Sequence, residues 1–251
     1  PAMVKKGVCL VISPLISLME DQVKNLSEHG IPALALTGSI PYYEIERLMH
    51  NVQHEAYKFL YLSPERLANE EVIFYLKNTP LNYIVIDEAH CISHWGKDFR
   101  PAYLACKNLR EWFPTLPIIA LTATATERVQ KDIIEHLQIP QAQIIKGSLI
   151  RSNLAYMTYC IDDKWERLTR ILLKNKESSI VYVRNRRLSE ELAQHLTDEG
   201  FTATSFHGGL SVEEKSKRLG MWKLGDVQVM VATNAFGMGI DKADVRTVIH
   251  W

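Results

Sequence analysis

The stretch of sequence from Tyr83 to Tyr103 reads YIVIDEAHCISHWGKDFRPAY. It opens with four apolar residues, a short run that is typical of a buried β-strand. Two adjacent acids, Asp87 and Glu88, follow at once, and histidine, aromatic and cationic side chains come after them. Ligands of parallel α/β sheets bind beyond the carboxyl ends of the strands. The stretch therefore predicts a core strand with a functional site at its end.

The composition is that of an ordinary globular protein. The chain has 251 residues, with 47% hydrophobic residues, 23% charged residues and a formal net charge of zero. This length suits one large domain or two smaller domains. Because the chain has no overall basic charge, a nucleic-acid site would have to be a local groove.

Cysteine usage and hydropathy bear on the compartment. The cysteines are scattered without a CxxC pair, which favours free thiols in a reducing compartment; they are Cys9, Cys91, Cys106 and Cys160. The sequence contains neither an apolar run of membrane-spanning length nor a signal peptide. We therefore expect a soluble intracellular protein, cytoplasmic and nucleoid-associated in a bacterium or nuclear in a eukaryote.

Strand-like and helix-like segments alternate along the whole chain, which predicts an α/β fold with parallel sheets covered by helices on both faces. The strand candidates are 7–13, 33–39, 58–63, 83–89, 117–126, 179–183, 202–207, 227–234 and 245–251, and the helix candidates include 14–30, 42–53, 102–113, 164–175, 187–200 and 213–225. The alternation breaks near 146–154. We therefore predict two α/β lobes, 1–150 and 151–251.

The adjacent acids point to metal and nucleotide chemistry. A carboxylate at the end of a buried strand is costly without a partner, and a divalent cation removes that cost. Asp87 is predicted to hold Mg²⁺ through water, and Glu88 to act as a general base on an attacking water. Alternatively, both acids cap a following helix and face solvent. The apolar run before them and the Ala-His pair after them favour the first interpretation.

The stretch VIDEAH resembles motif II, the Walker B element, of superfamily 2 helicases in its DEAH spelling. Further segments are similar to other helicase motifs in the expected order; they are 10–23 (motif Ia), 60–67 (motif Ib), 120–126 (motif III), 180–193 (motif IV), 206–211 (the short loop that precedes motif V) and 229–246 (motif V). The resemblance implies two RecA-like lobes that use ATP and Mg²⁺.

The loop AHCISHWGKDFRPAY closely resembles the aromatic-rich loop of RecQ-family DNA helicases. It departs from the common family spelling at His94, usually Gln, and Lys97, often His, but keeps Trp95 and Phe99. The resemblance implies a 3′→5′ DNA helicase of repair and recombination, acting on single-stranded and partly duplex DNA. Two alternatives stay open, a nucleic-acid-binding module without turnover and a DEAH-group RNA helicase.

The chemistry of this loop suits single-stranded DNA. Trp95 and Phe99 offer aromatic faces, and stacking contributes about 1–3 kcal/mol per base. Lys97 and Arg100 offer charge for phosphates or for a contact that senses the nucleotide. The alternatives are that both aromatic residues belong to the core, or that the His90-Cys91…His94 spacing binds zinc, although it lacks the paired spacing of a structural zinc site.

Other site residues follow from the motif resemblance. They are His90 for catalysis, Gly239 and Asp241 for the nucleotide, and Pro14, Ser63, Thr122, Thr124, His207, Thr233 and Phe236 for DNA binding and coupling. The glycines near residue 239 permit a close approach to phosphate, and a plain turn is the alternative. His207 is otherwise a surface histidine with a satisfied partner.

The sequence contains no GxxxxGK[ST] phosphate-binding loop. The chain begins with Pro1, and it stops after TVIHW, where the family's arginine-bearing motif VI is expected to follow. We expect both lobes to be truncated and the chain to be a helicase-core fragment of a longer protein. Since an arginine finger alone contributes 10³–10⁵ in rate, the fragment is expected to hydrolyse little ATP.

Overall fold

The computed structural model describes residues 1–37, 40–54, 57–96, 98–148, 151–237, 240 and 242–251. The chain divides into two compact units, Pro1–Gly147 and Ser148–Trp251. Each unit is built around one parallel sheet. The predicted α/β class with two mainly parallel sheets flanked by helices is confirmed.

The first unit contains a parallel sheet with the strand order β2-β3-β1-β4-β5 in the part of the chain that the structure describes. Its strands are β1 (Val8–Ile12), β2 (Ala33–Leu36), β3 (Phe59–Leu62), β4 (Leu81–Ile86) and β5 (Ile118–Ala120). Because the strands are parallel, their carboxyl ends lie at one edge of the sheet. The residues that follow each strand are thereby brought together.

Helices surround this sheet, and their ends carry recognisable signals. The helices are α1 (Ile16–Glu28), α2 (Tyr42–His54), α3 (Glu70–Lys77), α4 (Asn108–Trp112) and α5 (Glu127–His136), with 3-10 turns at Pro64–Ala68, Ala89–Ile92 and Pro101–Lys107. The side chain of Thr126 accepts a hydrogen bond from the Val129 amide and caps α5. Gly30, with a φ of +70°, ends the segment of α1.

The core of the first unit lies on both faces of the sheet. Every residue of β1 is buried. One face packs Leu10 and Ile84 against α2 and α3, and the other packs Val11 against Met19 of α1. The second face of β4 is half-buried rather than sealed, because its residues alternate between full and partial burial. This strand was expected to be buried on both faces, so that detail is corrected.

The second unit repeats the plan with the strand order β7-β8-β6-β9 among the described residues, all parallel. Its elements are α6 (Lys164–Lys174), β6 (Ser179–Tyr182), α7 (Arg186–Asp198), β7 (Ala203–Phe206), α8 (Val212–Leu224), β8 (Val229–Ala232) and β9 (Thr247–His250). One face packs on Leu168 and Leu192, and the other packs on Trp222 and Phe236. None of the helices in the described ranges has the length and apolar character needed to cross a membrane.

Candidate functional site

The carboxyl edge of the first sheet gathers the site residues predicted from that unit. Hydrogen bonds continue the ladder past the strand ends, because the amides of Ser13, Asp87 and Leu121 donate to Leu62, Ile12 and Ile86. Four predicted site residues follow these strand ends, each within three positions of a residue that makes one of the bonds; they are Pro14, Ser63, Thr122 and Thr124. Sequence segments separated by about a hundred residues thus meet at one edge.

Asp87 is held at this edge by contacts on three sides. Its Oδ2 accepts a hydrogen bond from Ser13 Oγ at 3.3 Å, and its Oδ1 accepts one from the Glu88 amide at 2.9 Å. The hydroxyl of Tyr103 donates to the Asp87 carbonyl oxygen at 2.9 Å. The side chain is partly exposed. These contacts fix the carboxylate without burying it, and they leave lone pairs for other donors or a cation.

Glu88 adopts a left-handed backbone conformation, with φ of 47° and ψ of 43°. Such a conformation costs a non-glycine residue roughly 1–3 kcal/mol and is common at functional sites. In this conformation the Glu88 carboxylate lies beside His90, whose Nδ1 is 3.1 Å from Oε2. A partly exposed carboxylate is therefore aimed at a nearly buried imidazole.

His90 connects the acids to the segment that follows β5. The same Nδ1 lies 2.9 Å from the hydroxyl of Thr122. Thr122 in turn accepts a hydrogen bond from the amide of Thr124 at 3.1 Å. His90 is thus a bridge between the DEAH stretch and the TAT stretch rather than a free surface group. A displacement of either stretch would therefore shift the other through His90.

The residues after His90 do not favour the zinc interpretation. Burial raises the pKa of the Cys91 thiol to about 11, so that sulfur stays protonated near neutral pH. The His90 Nδ1 is already engaged, as described above, and His94 stacks on Phe99 with ring centroids 3.8 Å apart. Within the described ranges no group of three or more His, Cys, Asp and Glu residues could hold a metal ion.

The aromatic loop is fastened to neighbouring elements at several points. Ser93 donates a short hydrogen bond to Asp132 of α5 and accepts one from the Trp95 amide at 3.1 Å. Arg100 donates to the Pro14 carbonyl oxygen at 3.0 Å and pairs with Asp98. The loop therefore contacts both the residues after β1 and the helix after the TAT segment.

The two predicted stacking residues differ in exposure. The Trp95 side chain is 62% exposed, so the alternative that places it in the core is wrong. Phe99 is half-buried against His94 and retains part of its surface. The predicted Lys97 contact lies outside the described residues. Trp95 is the more accessible aromatic platform of the two.

In the second unit the predicted residues also follow strand ends, but their side chains turn inward. Phe236 is 2% exposed and packs edge-to-face against Phe206 and Trp222. Its side chain cannot stack on DNA in this conformation, so the prediction of a DNA contact by that ring is corrected. The physical reason is the apolar surface of α8, which the ring covers. Thr233 is buried as well.

His207 is buried too, which excludes the surface alternative. Its Nε2 lies 2.8 Å from Glu190 Oε1, and its Nδ1 accepts a hydrogen bond from the Gly209 amide at 3.2 Å. The Gly209 bond leaves the proton on Nε2, which donates to the carboxylate. His207 therefore shapes the loop after β7 rather than presenting its ring to a ligand. Gly239 and Asp241, predicted to face the nucleotide, lie outside the described residues.

Sequence reasoning missed several residues that organise both edges. Tyr103 and Ser13 hold Asp87, and Asp132 holds the aromatic loop. In the second unit, Tyr182 donates to the Phe236 carbonyl oxygen at 2.9 Å, and a Cβ at Gly237 would lie 2.3 Å from that hydroxyl. Gly237 also has a φ of +123°. In the sequence, the glycine itself indicates a special backbone position, whereas nothing marks Tyr182 as the residue that contacts it.

Comparison with known families identifies the class of protein. A family model described as DEAD/DEAH box helicase matches residues 2–133, and one described as helicase conserved C-terminal domain matches residues 163–251. The chain belongs to the DEAD/DEAH box helicase family.

Relatives narrow the similarity to the RecQ type. The chain is 39% identical over 252 residues to ATP-dependent DNA helicase RecQ of Pasteurella multocida, covering all of this chain and 40% of that protein. It is 41% identical over 255 residues to ATP-dependent DNA helicase hus2/rqh1 of Schizosaccharomyces pombe, covering 98% of this chain and 19% of that protein. The resemblance to RecQ helicases is confirmed, and the chain spans about 40% of the length of the RecQ proteins of Pasteurella multocida and Haemophilus influenzae.

The fold is similar to that of S. cerevisiae Dbp5 bound to Gle1 and IP6. The TM-score is 0.74 at 17% identity, and the match covers 100% of this chain and 62% of that one. At this identity the likeness concerns the fold alone. It confirms the RecA-like class of the two lobes.

Proposed function

We propose that the longer protein expected from the sequence is an ATP-dependent 3′→5′ DNA helicase of the RecQ type. It couples hydrolysis of Mg-ATP to movement along single-stranded DNA and to unwinding of partly duplex DNA in repair and recombination. It acts on the nucleoid in the cytoplasm of a bacterium or in the nucleus of a eukaryote. Residues 1–150 form the ATP-binding lobe and residues 151–251 the C-terminal helicase lobe.

One observation carries this proposal, which is that the acids and the aromatic loop share their supports. Tyr103 lies at the far end of the loop and holds the carbonyl oxygen of Asp87. Arg100 of the loop holds Pro14, next to the Ser13 that contacts the Asp87 carboxylate. A strand of DNA that pulls on the loop would therefore shift the acids. A protein that only binds DNA has no need of this connection.

Asp87 fits the role of a magnesium ligand. Mg²⁺ keeps several waters and usually takes one or two carboxylates together with phosphate oxygens, so one partly exposed carboxylate suffices. The hydrogen bonds from Ser13 and from the Glu88 amide orient both carboxylate oxygens. When bound, Mg²⁺ neutralises charge that develops on the phosphates of ATP.

Glu88 and His90 supply the proton chemistry in this proposal. The Glu88 carboxylate accepts a proton from the water that attacks the γ-phosphate. Its contact with His90 Nδ1 orients the carboxylate. Because His90 also contacts Thr122, the orientation of the carboxylate depends on the position of the TAT segment. Thr124 is exposed and Pro14 is partly exposed, so both stay candidates for contact with the DNA backbone. The Ser63 side chain is buried and can contact DNA only through the neighbouring backbone.

We further propose that these 251 residues alone turn over little ATP. Their sequence contains no GxxxxGK[ST] loop to cradle the phosphates. DNA binding does not depend on that loop, since the aromatic loop lies within the first unit. The isolated chain should therefore bind single-stranded DNA without robust ATPase activity.

Substitution of Glu88 by Gln in the longer protein tests the motor. The change keeps size and hydrogen-bonding capacity but removes the base. We expect loss of unwinding of a 3′-tailed DNA duplex with retention of DNA binding. Unwinding at the wild-type rate would contradict the proposal, and preferential unwinding of a 3′-tailed RNA duplex would favour the RNA-helicase alternative. As a control, Glu135→Gln changes an exposed carboxylate of α5 that makes no ion pair with the described residues.

A further inference from the structure

Arg128 lies against Trp95, an arrangement that none of the motifs predicts. The guanidinium carbon of Arg128 is 3.4 Å from the centroid of the Trp95 ring, which is a stacking distance. Even so, the Trp95 side chain remains 62% exposed. One face of the indole is thus covered by a cation, while enough surface remains open for a second planar group.

The pair is held in place before any ligand binds. Ser93 accepts a hydrogen bond from the Trp95 amide and donates to Asp132, one helical turn from Arg128 on the same helix, α5. Gly96 packs so closely that an added Cβ would lie 2.1 Å from the His90 carbonyl oxygen. A fixed indole and a fixed helix lower the entropic cost of ordering a binding platform.

The guanidinium of Arg128 forms no ion pair with a carboxylate in the part of the chain that the structure describes. Asp132 is engaged by Ser93, whereas several other exposed arginines of this chain pair with a glutamate; they are Arg47, Arg170, Arg187 and Arg246. Its guanidinium offers five N–H donors in a planar fork that matches a phosphate. A nucleotide whose base stacks on the open indole face brings its phosphates towards this region.

We propose that Trp95 and Arg128 form a composite platform for one nucleotide of single-stranded DNA, with the base on the open face of Trp95 and the guanidinium of Arg128 serving the adjacent phosphate. The inference rests on the proposed binding of single-stranded DNA. The Arg128 guanidinium polarises the indole from the face opposite the base, and it neutralises the charge of the adjacent DNA phosphate. The alternative is that Arg128 only covers the face of the Trp95 indole on which a base stacks, so that the base must displace the guanidinium.

Binding of a fluorescein-labelled oligothymidylate to the purified chain, followed by anisotropy over a range of salt concentrations, tests the platform. Arg128→Ala should weaken binding roughly three- to tenfold and lower the salt dependence by about 0.7 in the slope of log K against log[salt]. Arg128→Lys should restore the salt slope but not the full affinity, because lysine keeps the charge and lacks the planar fork. The Trp95→Ala and Arg128→Ala effects should be non-additive.

Arg47→Ala is the matched control, since Arg47 is an exposed arginine of α2 that pairs with Glu44 in the same unit. It should leave the affinity and slope of the chain near wild type. Unchanged or tighter binding by Arg128→Ala, with Trp95→Ala still weakened, overturns the platform and leaves the proposed function standing. Absence of saturable binding by the unmodified chain overturns both.

Discussion

The hydroxyl of Tyr103 donates a 2.9 Å hydrogen bond to the carbonyl oxygen of Asp87. Tyr103 is fully buried and comes at the end of the aromatic loop, whereas Asp87 begins it. The bond joins two residues that are 16 positions apart in sequence, and it fixes the two ends of the loop to each other. This closure explains how an exposed indole and the carboxylate that we propose as a magnesium ligand can respond to the same displacement.

Tyr103→Phe should lower the free energy of unfolding of the first unit by about 1–3 kcal/mol, because the Asp87 carbonyl oxygen loses a buried partner. Urea unfolding followed by circular dichroism measures the change. Tyr61→Phe is the control, since its hydroxyl makes no hydrogen bond to the described residues. Equal destabilisation by both variants would mean that the Tyr103 hydroxyl has no special role.

Alkaline pH should destabilise the first unit through Cys106. Burial raises the pKa of this thiol to about 12, while an unfolded thiol titrates near 8.5. Above about pH 8.5 the unfolded chain loses the proton that the folded chain keeps, so stability falls as the pH rises towards the folded pKa. Cys106→Ala should reduce this fall by up to about 1.4 kcal/mol per pH unit.

Urea midpoints measured at several values between about pH 8.5 and 10.5 give that slope. Cys160→Ala removes an exposed thiol and serves as the control. The slope itself is the readout, so a uniform loss of stability in Cys106→Ala does not matter. Identical slopes in all proteins would contradict the assignment.

Gly96→Ala should disturb the aromatic loop. The new Cβ would lie 2.1 Å from the His90 carbonyl oxygen, so the backbone must move and carry Trp95 with it. Since stacking contributes about 1–3 kcal/mol per base, we expect at least roughly fivefold weaker binding of single-stranded DNA by the chain. Gly147→Ala, at a position with no atom within 4 Å of the added Cβ, should bind as wild type does. Wild-type affinity in Gly96→Ala would show that the loop position is unimportant.

Thr122→Val should loosen the connection between the TAT segment and the acids. The change keeps the shape of the side chain but removes the hydroxyl that lies 2.9 Å from His90 Nδ1. In the longer protein we expect severalfold slower DNA-stimulated ATP hydrolysis with single-stranded DNA affinity within about twofold of wild type. Thr197→Val, in α7 of the second unit, removes a hydroxyl that bonds only within its helix and serves as the control. Weaker DNA binding without a change in hydrolysis would contradict the assigned role.

The sequence was sufficient to predict the sheets and the position of the acids. An apolar run such as the one before Asp87 indicates where a strand ends, and parallel strands place their carboxyl ends at one edge of the sheet. The connection of Ser13 with Asp87 follows this rule, because both residues come directly after neighbouring strands.

Side-chain orientation and contacts between distant side chains were not predictable in the same way. The contact of Arg128 with Trp95 and that of Asp132 with Ser93 depend on how α5 packs against the loop. Phe236 follows a strand and precedes a glycine, as a ligand contact would, yet the apolar side chain of Trp222 draws it inward. Local sequence does not distinguish these outcomes, because the deciding partner lies elsewhere in the chain.

The most direct test of the coupling is the ATPase rate of the longer protein with and without single-stranded DNA, compared between wild type and Trp95→Ala. If the indole and the Asp87–Glu88 pair form one connected unit, the ratio of the two rates should fall towards one in the variant. A wild-type ratio in Trp95→Ala at saturating DNA would contradict the account.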